Sequence, residues 1–213
     1  MSVNTKVQTI MFTSSIPHSG KSFVSSNLAY TLAASGKRVV ILDLDLRRRT
    51  LSKSMGQRNN RRGITSYLSG KIESFESIIT PSELSPNLDF IYAGPQPPNP
   101  TDMLMSERMD KLVEALRAKY DYVIIDSVPA MAVADALVLD RLVDLTVYVI
   151  RQGYLDRREL PEIELLYREK KFRNMCTVLN SSTQTNHKYG YGYYDNLDKQ
   201  GFVKRLLSNF SKK

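Results

Sequence analysis

The chain has 213 residues, 42% of them hydrophobic and 24% charged, enough to bury one sizeable core without a second domain. No apolar stretch approaches the ~18 to 20 residues that cross a bilayer, no basic region followed by an apolar one opens the chain, and the one cysteine rules out a disulfide framework, so a soluble protein of a reducing cytoplasm is expected. The formal charge of +8 belongs to one segment, Arg47 to Lys71, which holds eight Lys/Arg and no Asp/Glu. Such a run reads as a solvated loop and helix face, or as a surface for phosphates, an anionic membrane or an acidic partner. Without an aromatic platform beside it, no nucleic-acid partner is expected.

In chain order, short β-branched runs alternate with longer helical patterns, which predicts a doubly wound α/β fold around a mostly parallel sheet. VQTIMFTS (7–14) reads as a strand. KSFVSSNLAYTLAASG (21–36) reads as a helix, with Val24, Leu28 and Leu32 at helical spacing and Gly36 at its C-terminal cap. KRVVILDLD (37–45) is an unbroken apolar strand buried on both faces. NLDFIYAG (87–94) follows, then a helix SERMDKLVEALRAKY (106–120), a strand DYVIID (121–126) and a helix ADALVLDRLV (134–143). DLTVYVIR (144–151) is a strand, RRELPEIELLYREKK (157–171) a helix, and NMCTVLNS (174–181) a last strand in which Cys176 is expected as a small buried residue. AGPQPPNPTD (93–102) is too rich in proline for regular structure. The segment around YGYGYYD is expected to be a flexible tail, 186–213, after a nucleotide-binding domain over 1–185.

In such sheets ligands gather beyond the carboxyl ends of the strands, and the polar motifs fall there. SSIPHSGKSF (14–23) matches the phosphate-binding loop except that Ser15 replaces its first glycine, while Gly20, Lys21 and Ser22 stand intact. Backbone N–H groups at a helix N-terminus cradle an anion, a lysine reaches the outer phosphates and a hydroxyl holds Mg²⁺. This makes Ser15, Pro17, His18, Ser19, Gly20, Lys21, Ser22 and Phe23 the expected nucleotide-binding residues. His18 sits where a left-handed backbone is expected, at a strain on the order of 1 kcal/mol. Two further strand ends carry Asp43, Asp45 and Asp126, hard oxygen ligands suited to a phosphate-bound Mg²⁺ or to catalysis, with helix capping as the structural alternative for Asp126.

FTSSIPHSGKSFVSSNLA, VVILDLDLRR, AGPQPPNPTDMLMSERM, YDYVIIDSVPA and the terminal tyrosines, in this order, resemble the bacterial tyrosine kinases of capsule and exopolysaccharide synthesis over about residues 7 to 194. The resemblance implies a P-loop NTPase fold and an ATP- and Mg²⁺-dependent autokinase. Its acceptors would be Tyr189, Tyr191, Tyr193 and Tyr194, phosphorylated mainly between protomers to regulate polysaccharide polymerisation and export. It implies that Lys21 and Ser22 hold phosphate and Mg²⁺ and that Asp43 orients or deprotonates the acceptor. Asp45 and Asp126 would hold the metal directly or through water, and Arg47 would either offset developing charge near the nucleotide or belong merely to the basic run. It further implies partners: other copies of the chain, a membrane-embedded polysaccharide co-polymerase or activator, and an opposing tyrosine phosphatase, with the kinase kept at the inner face of the cell membrane through that partner or through a missing membrane-spanning part. The chain departs from the family pattern at His18-Ser19 in place of Gly-Glu, at Arg49 in place of proline and at Val128-Pro129 in place of a double proline. No Glu-x-x-Arg-x-x-Arg oligomerisation helix precedes the loop, which gives the expectation of a separated catalytic domain. The rival reading is a non-catalytic nucleotide switch, either a kinase relative impaired at His18 or a partitioning and septum-site type ATPase, whose signature lysine is here Ile16.

Overall fold

The protein is described by a computed structural model over residues 6–57 and 61–182. Among these residues the strands are β1 (Thr9–Thr13), β2 (Val39–Asp43), β3 (Ile79–Pro81), β4 (Leu88–Ile91), β5 (Tyr122–Asp126), β6 (Leu145–Arg151) and β7 (Met175–Asn180). They form one sheet in the order β3-β4-β2-β5-β1-β6-β7. All neighbours pair in parallel except β3, which closes one edge antiparallel to β4. β1 and β2 lie inside the sheet with every residue buried, which is why their runs are apolar throughout rather than alternating. β5 separates them, so the chain crosses over twice and leaves a crevice at the carboxyl ends of β1, β2 and β5.

Alternate strand residues feed two cores. Ile10, Phe12, Ile41 and Ile124 face the helix α1 (Lys21–Ala34), while Met11, Val40, Leu42 and Ile125 face α5 (Glu107–Lys119). Helix α5 starts where the Ser106 hydroxyl accepts the Met109 N–H, and its stripe of Met109, Leu112, Val113 and Leu116 is buried at helical spacing. Helix α1 packs differently from the expectation. Its fully sheltered face is Ser25, Ser26, Ala29 and Ala33, and Val24, Leu28 and Leu32 flank it half-buried. Small residues let the helix axis approach the sheet closely, and the larger side chains then seal the sides. Gly36, at φ +85, closes the helix as expected, with the Lys37 N–H reaching the Leu32 carbonyl.

The basic segment exposes Arg48, Lys53, Arg61, Arg62 and Lys71 to solvent, as expected of a solvated face, but it also carries buried apolar side chains. It contains α2 (Thr50–Ser54) and α3 (Ile64–Leu68), and Leu51, Ile64, Tyr67 and Leu68 are buried. The proline block ends in a short helix α4 (Pro100–Leu104), with proline in the first turn, where its missing N–H costs nothing. The expected helix over 134–143 is α6 (Asp135–Leu139) followed by a tighter turn, and α7 spans Leu160–Arg168. Cys176 is exposed rather than buried, because β7 is the edge of the sheet and little covers it. No helix among the described residues is long and apolar enough to cross a membrane. The domain boundary at 185 and Tyr189, Tyr191, Tyr193 and Tyr194 lie outside the described residues.

Candidate nucleotide site

Residues 14–20 turn from β1 into the N-terminus of α1, beyond the carboxyl edge of the sheet. His18 has φ +62 and Gly20 φ +92, so the loop carries one strained non-glycine residue, as its sequence predicts. Two side chains from distant strands hold this shape. Arg151 Nη1 donates to the His18 carbonyl at 3.0 Å, and Asn180 Nδ2 donates to the Ser19 carbonyl at 3.0 Å. Arg151 and Asn180 are register partners at the ends of β6 and β7. Strain at such a position is about 1–3 kcal/mol, and two bonds of about 0.5–1.5 kcal/mol each are of the size needed to offset it. A Cβ on Gly20 would lie 2.1 Å from Asn180 Nδ2, which gives the glycine a packing reason as well as a conformational one.

Over the loop lies a cavity of about 500 Å³ lined by Pro17, His18, Gly20, Lys21, Ser22 and Phe23 from the loop and helix, Asp45, Arg48 and Thr50 beyond β2, Ser127 and Pro129 beyond β5, and Arg151, Asn180 and Ser181 from the far strands. Of the eight residues expected at the nucleotide, Ser15 and Ser19 do not line it. The Ser15 hydroxyl shares a hydrogen bond of 3.1 Å with the buried Tyr148 hydroxyl, and that of Ser19 donates to the Ile16 carbonyl at 2.8 Å. Lys21 is nearly buried, its Nζ donating to Ser14 Oγ at 3.2 Å. Burial lowers its pKa, while Asp126 and Asp45 pull the other way and Arg48 reinforces the lowering.

The carboxylates separate by environment. Asp126, 1% exposed, has one oxygen, Oδ1, without a hydrogen-bond partner. Burial pushes its pKa up to about 7, with Asp45 adding to the rise and Ser22 and Lys21 opposing it. Asp45 lines the cavity; its Oδ1 accepts the Arg48 N–H at 2.8 Å and its Oδ2 the Thr50 hydroxyl at 3.4 Å. Asp43 is sealed behind the cavity wall. Its Oδ2 accepts both the N–H and the hydroxyl of Ser52, at 2.8 and 2.5 Å, and its Oδ1 the Asp45 N–H at 3.3 Å. Burial, then Asp126, raise its pKa to about 8. That affinity for a proton would suit a base, and in this structure the carboxylate is fully buried with both oxygens bonded.

The arginines are dealt out singly. Arg47, expected near the nucleotide, turns away: its Nε and Nη2 hold the buried Asp135 at 2.8 and 3.1 Å, and Nη2 also reaches Thr101 at 3.2 Å. Burial pushes Asp135 up, but the bonds from Arg47 and Thr101 and the Arg47 charge outweigh it and hold the carboxyl below its ordinary value. Arg48 is the one that faces the cavity. Arg49 has φ +54, a conformation closed to proline, and its Nη1 donates to the Gly94 carbonyl at 3.2 Å. Arg48, Arg151 and Asn180 are site residues the sequence reading passed over. Arg151 and Asn180 carried a usable signal, since each is a polar residue ending an apolar strand at the same edge as Asp126.

The arrangement fits a magnesium nucleotide. An unpartnered, buried carboxylate oxygen at Asp126, with Ser22 and Asp45 beside it, suits a hard cation, and Lys21 with the N-terminus of α1 suits phosphate. Among the described residues no cluster of three or more His, Cys, Asp or Glu groups could hold a metal ion.

Fold and loop together define a nucleotide-binding protein of the P-loop class, and residues 7–150 match the family model described as an AAA domain. The chain is 34% identical over 197 residues to the tyrosine-protein kinase YwqD of Bacillus subtilis, covering 92% of this chain and 81% of that protein. The solved kinase domain of the Escherichia coli tyrosine kinase ETK superposes with a TM-score of 0.77 at 35% identity, over 89% of this chain and 74% of that one. The chain belongs to this family of bacterial tyrosine-protein kinases. It spans only about a quarter, 24–26%, of several other curated relatives. Its likeness to the septum-site protein MinD from Pyrococcus horikoshii, solved with Mg-ADP, is a likeness of fold alone, at 19% identity, a TM-score of 0.65 and coverage of 81% of this chain and 69% of that one.

Proposed function

We propose that this chain transfers the γ-phosphoryl group of ATP to tyrosine hydroxyls, above all Tyr189, Tyr191, Tyr193 and Tyr194 of its own C-terminal segment, presented by one copy to the site of another. The observation that carries this reading is one cavity lined by Lys21, Ser22, Asp45 and Arg48, with the orphaned oxygen of Asp126 buried beside Ser22 and Lys21, in a chain of the tyrosine-kinase family. Phosphoryl transfer proceeds through a loose transition state, so charge neutralisation and alignment matter more than a strong base. Lys21 and the N–H groups at the start of α1 bind the outer phosphates. Ser22, Asp45 and Asp126 would hold Mg²⁺, which when bound neutralises phosphate charge. Arg48 faces the same charge from the opposite wall. Asp45 lines the cavity that an incoming phenol would enter; Asp43, through its bond from the Asp45 N–H, fixes the turn that presents Asp45.

Relatives named for a cps region and as EpsB support a place in polysaccharide synthesis and export; we further propose a membrane partner that gathers copies of the kinase and a phosphatase that reverses it. Phosphorylation adds roughly −1.5 to −2 charges per tyrosine, enough to drive a modified segment from a neighbour's site. The test mixes two variants with Mg-ATP: Lys21→Met as acceptor, and the chain with all four tail tyrosines changed to Phe as donor. Phosphotyrosine on the Lys21→Met chain supports transfer between copies; its absence, with wild-type labelling independent of protein concentration, shows that each copy modifies itself.

A further inference from the structure

Two large tyrosines outside the tail are prominent on the surface among the described residues, Tyr154 at 48% and Tyr167 at 62% exposure. Only Tyr154 communicates with the cavity. It sits in the tight turn after β6, its N–H on the Arg151 carbonyl at 3.2 Å, and its ring lies under the Arg151 guanidinium, 5.3 Å from Cζ to the centroid. That guanidinium lines the nucleotide cavity and, through Nη1, holds the carbonyl of His18, the strained residue of the phosphate loop. One aromatic side chain open to solvent thus rests on the arginine that braces the loop.

We infer that Tyr154 is a further phosphoacceptor, a regulatory modification site whose phosphate takes Arg151 away from the phosphate loop and weakens nucleotide binding. The inference rests on the kinase reading above, which supplies ATP as the donor. The phenolic oxygen forms a bond to the γ-phosphorus as the bond from that phosphorus to the β–γ bridging oxygen breaks; ADP leaves and the phenolic proton passes to solvent. A phosphate dianion beside a guanidinium makes charge-assisted bonds far stronger than the cation–π contact it replaces. Arg151 cannot satisfy the phosphate and the His18 carbonyl equally, and negative charge added beside this cavity-lining arginine opposes the phosphates of a nucleotide. Both effects act in one direction.

The test incubates the four-Phe tail variant with Mg-ATP and maps phosphotyrosine by peptide mass spectrometry, then measures binding of fluorescent ADP before and after phosphatase treatment. Expected are phosphate on the Tyr154 peptide, at least threefold weaker ADP binding by the phosphorylated chain, and recovery on dephosphorylation. Tyr154→Phe keeps the ring over Arg151 and is expected to bind ADP like the dephosphorylated chain, whether or not it has been exposed to ATP. Labelled tail tyrosines in the wild type with none at Tyr154 overturn the inference and leave the kinase reading standing. No phosphotyrosine anywhere overturns both. Equal labelling of Tyr167 overturns the assignment of a site, since exposure alone would explain both, and unchanged ADP affinity on phosphorylation overturns the link through Arg151.

Discussion

β2 and β5 are neighbouring strands that end in aspartate at the same register, Asp43 opposite Asp126. Both carboxyls are buried, and burial raises both pKa values, to about 8 and about 7. They differ in who answers them. Asp43 meets the N–H and hydroxyl of Ser52 at the start of the chain's return across the sheet, and the Ser52 hydroxyl in turn lies 3.1 Å from the Ala93 N–H. Asp126 keeps a buried oxygen without a partner beside Ser22 and Lys21 of the phosphate loop. Identical strand endings thus become a structural rivet in one place and a cation-ready group in the other, and the neighbours decide which.

The contrast breaks most visibly through activity. Lys21→Met removes the cation shared by phosphate and Asp126, and transfer is expected to fall by at least roughly 10²- to 10³-fold with the circular dichroism spectrum unchanged; a phosphotyrosine assay against wild type checks it. Asp126→Asn is expected to lose Mg²⁺-dependent transfer on a similar scale. Asp43→Asn keeps Mg-ADP affinity within a few-fold, and comparing the magnesium titrations of the two variants shows whether the rivet and the ligand are distinct. Next in size, Arg47→Ala leaves Asp135, 1% exposed, with Thr101 as its remaining side-chain donor and is expected to destabilise the fold by about 1–3 kcal/mol, read by urea denaturation. Were Arg47 instead a phosphate ligand, ADP affinity would fall while stability held.

The smallest effect is in pH. Asp43 and Asp126 have folded pKa values above those of the unfolded chain, so the folded state holds protons that the unfolded state gives up. Stability of the nucleotide-free protein is therefore expected to be greatest near pH 4 as far as these groups are concerned. It is lost as pH rises through about 7 and about 8, the two folded values. Melting temperatures across pH 4–9 should decline less steeply in Asp43→Asn than in wild type, and an unchanged slope would mean that Asp43 is already ionised in the fold.

The fold class, the phosphate loop, the left-handed His18 and the gathering of polar residues at strand ends were legible in the sequence, because each depends on neighbours a few residues apart: strand and helix periodicity, a glycine-flanked turn, an apolar run that stops at an aspartate. What the sequence could not rank were the consecutive arginines Arg47, Arg48 and Arg49. The first is committed to Asp135, 88 residues away, the second faces the cavity, and the third caps a turn against Gly94. The Leu stripe of α1 misled in the same way, since its burial depends on how closely the helix sits against a sheet assembled from distant strands. Cys176, in an apolar run, gave no sign that its strand would be the sheet's edge.

By itself, then, the sequence determined the local conformations and the chemical kinds of group brought to the carboxyl edge of the sheet. Tertiary structure alone decided their assignments: Asp43 sealed, Asp126 left with one unpartnered oxygen, Arg48 rather than Arg47 at the cavity, and the strained loop braced by Asn180 from 161 residues away. The physical reason is that backbone preference and periodicity are short-range properties of a chain. A buried charge or a strained carbonyl takes its character from whichever partner the strand order sets beside it, and in this sheet those partners are far along the sequence.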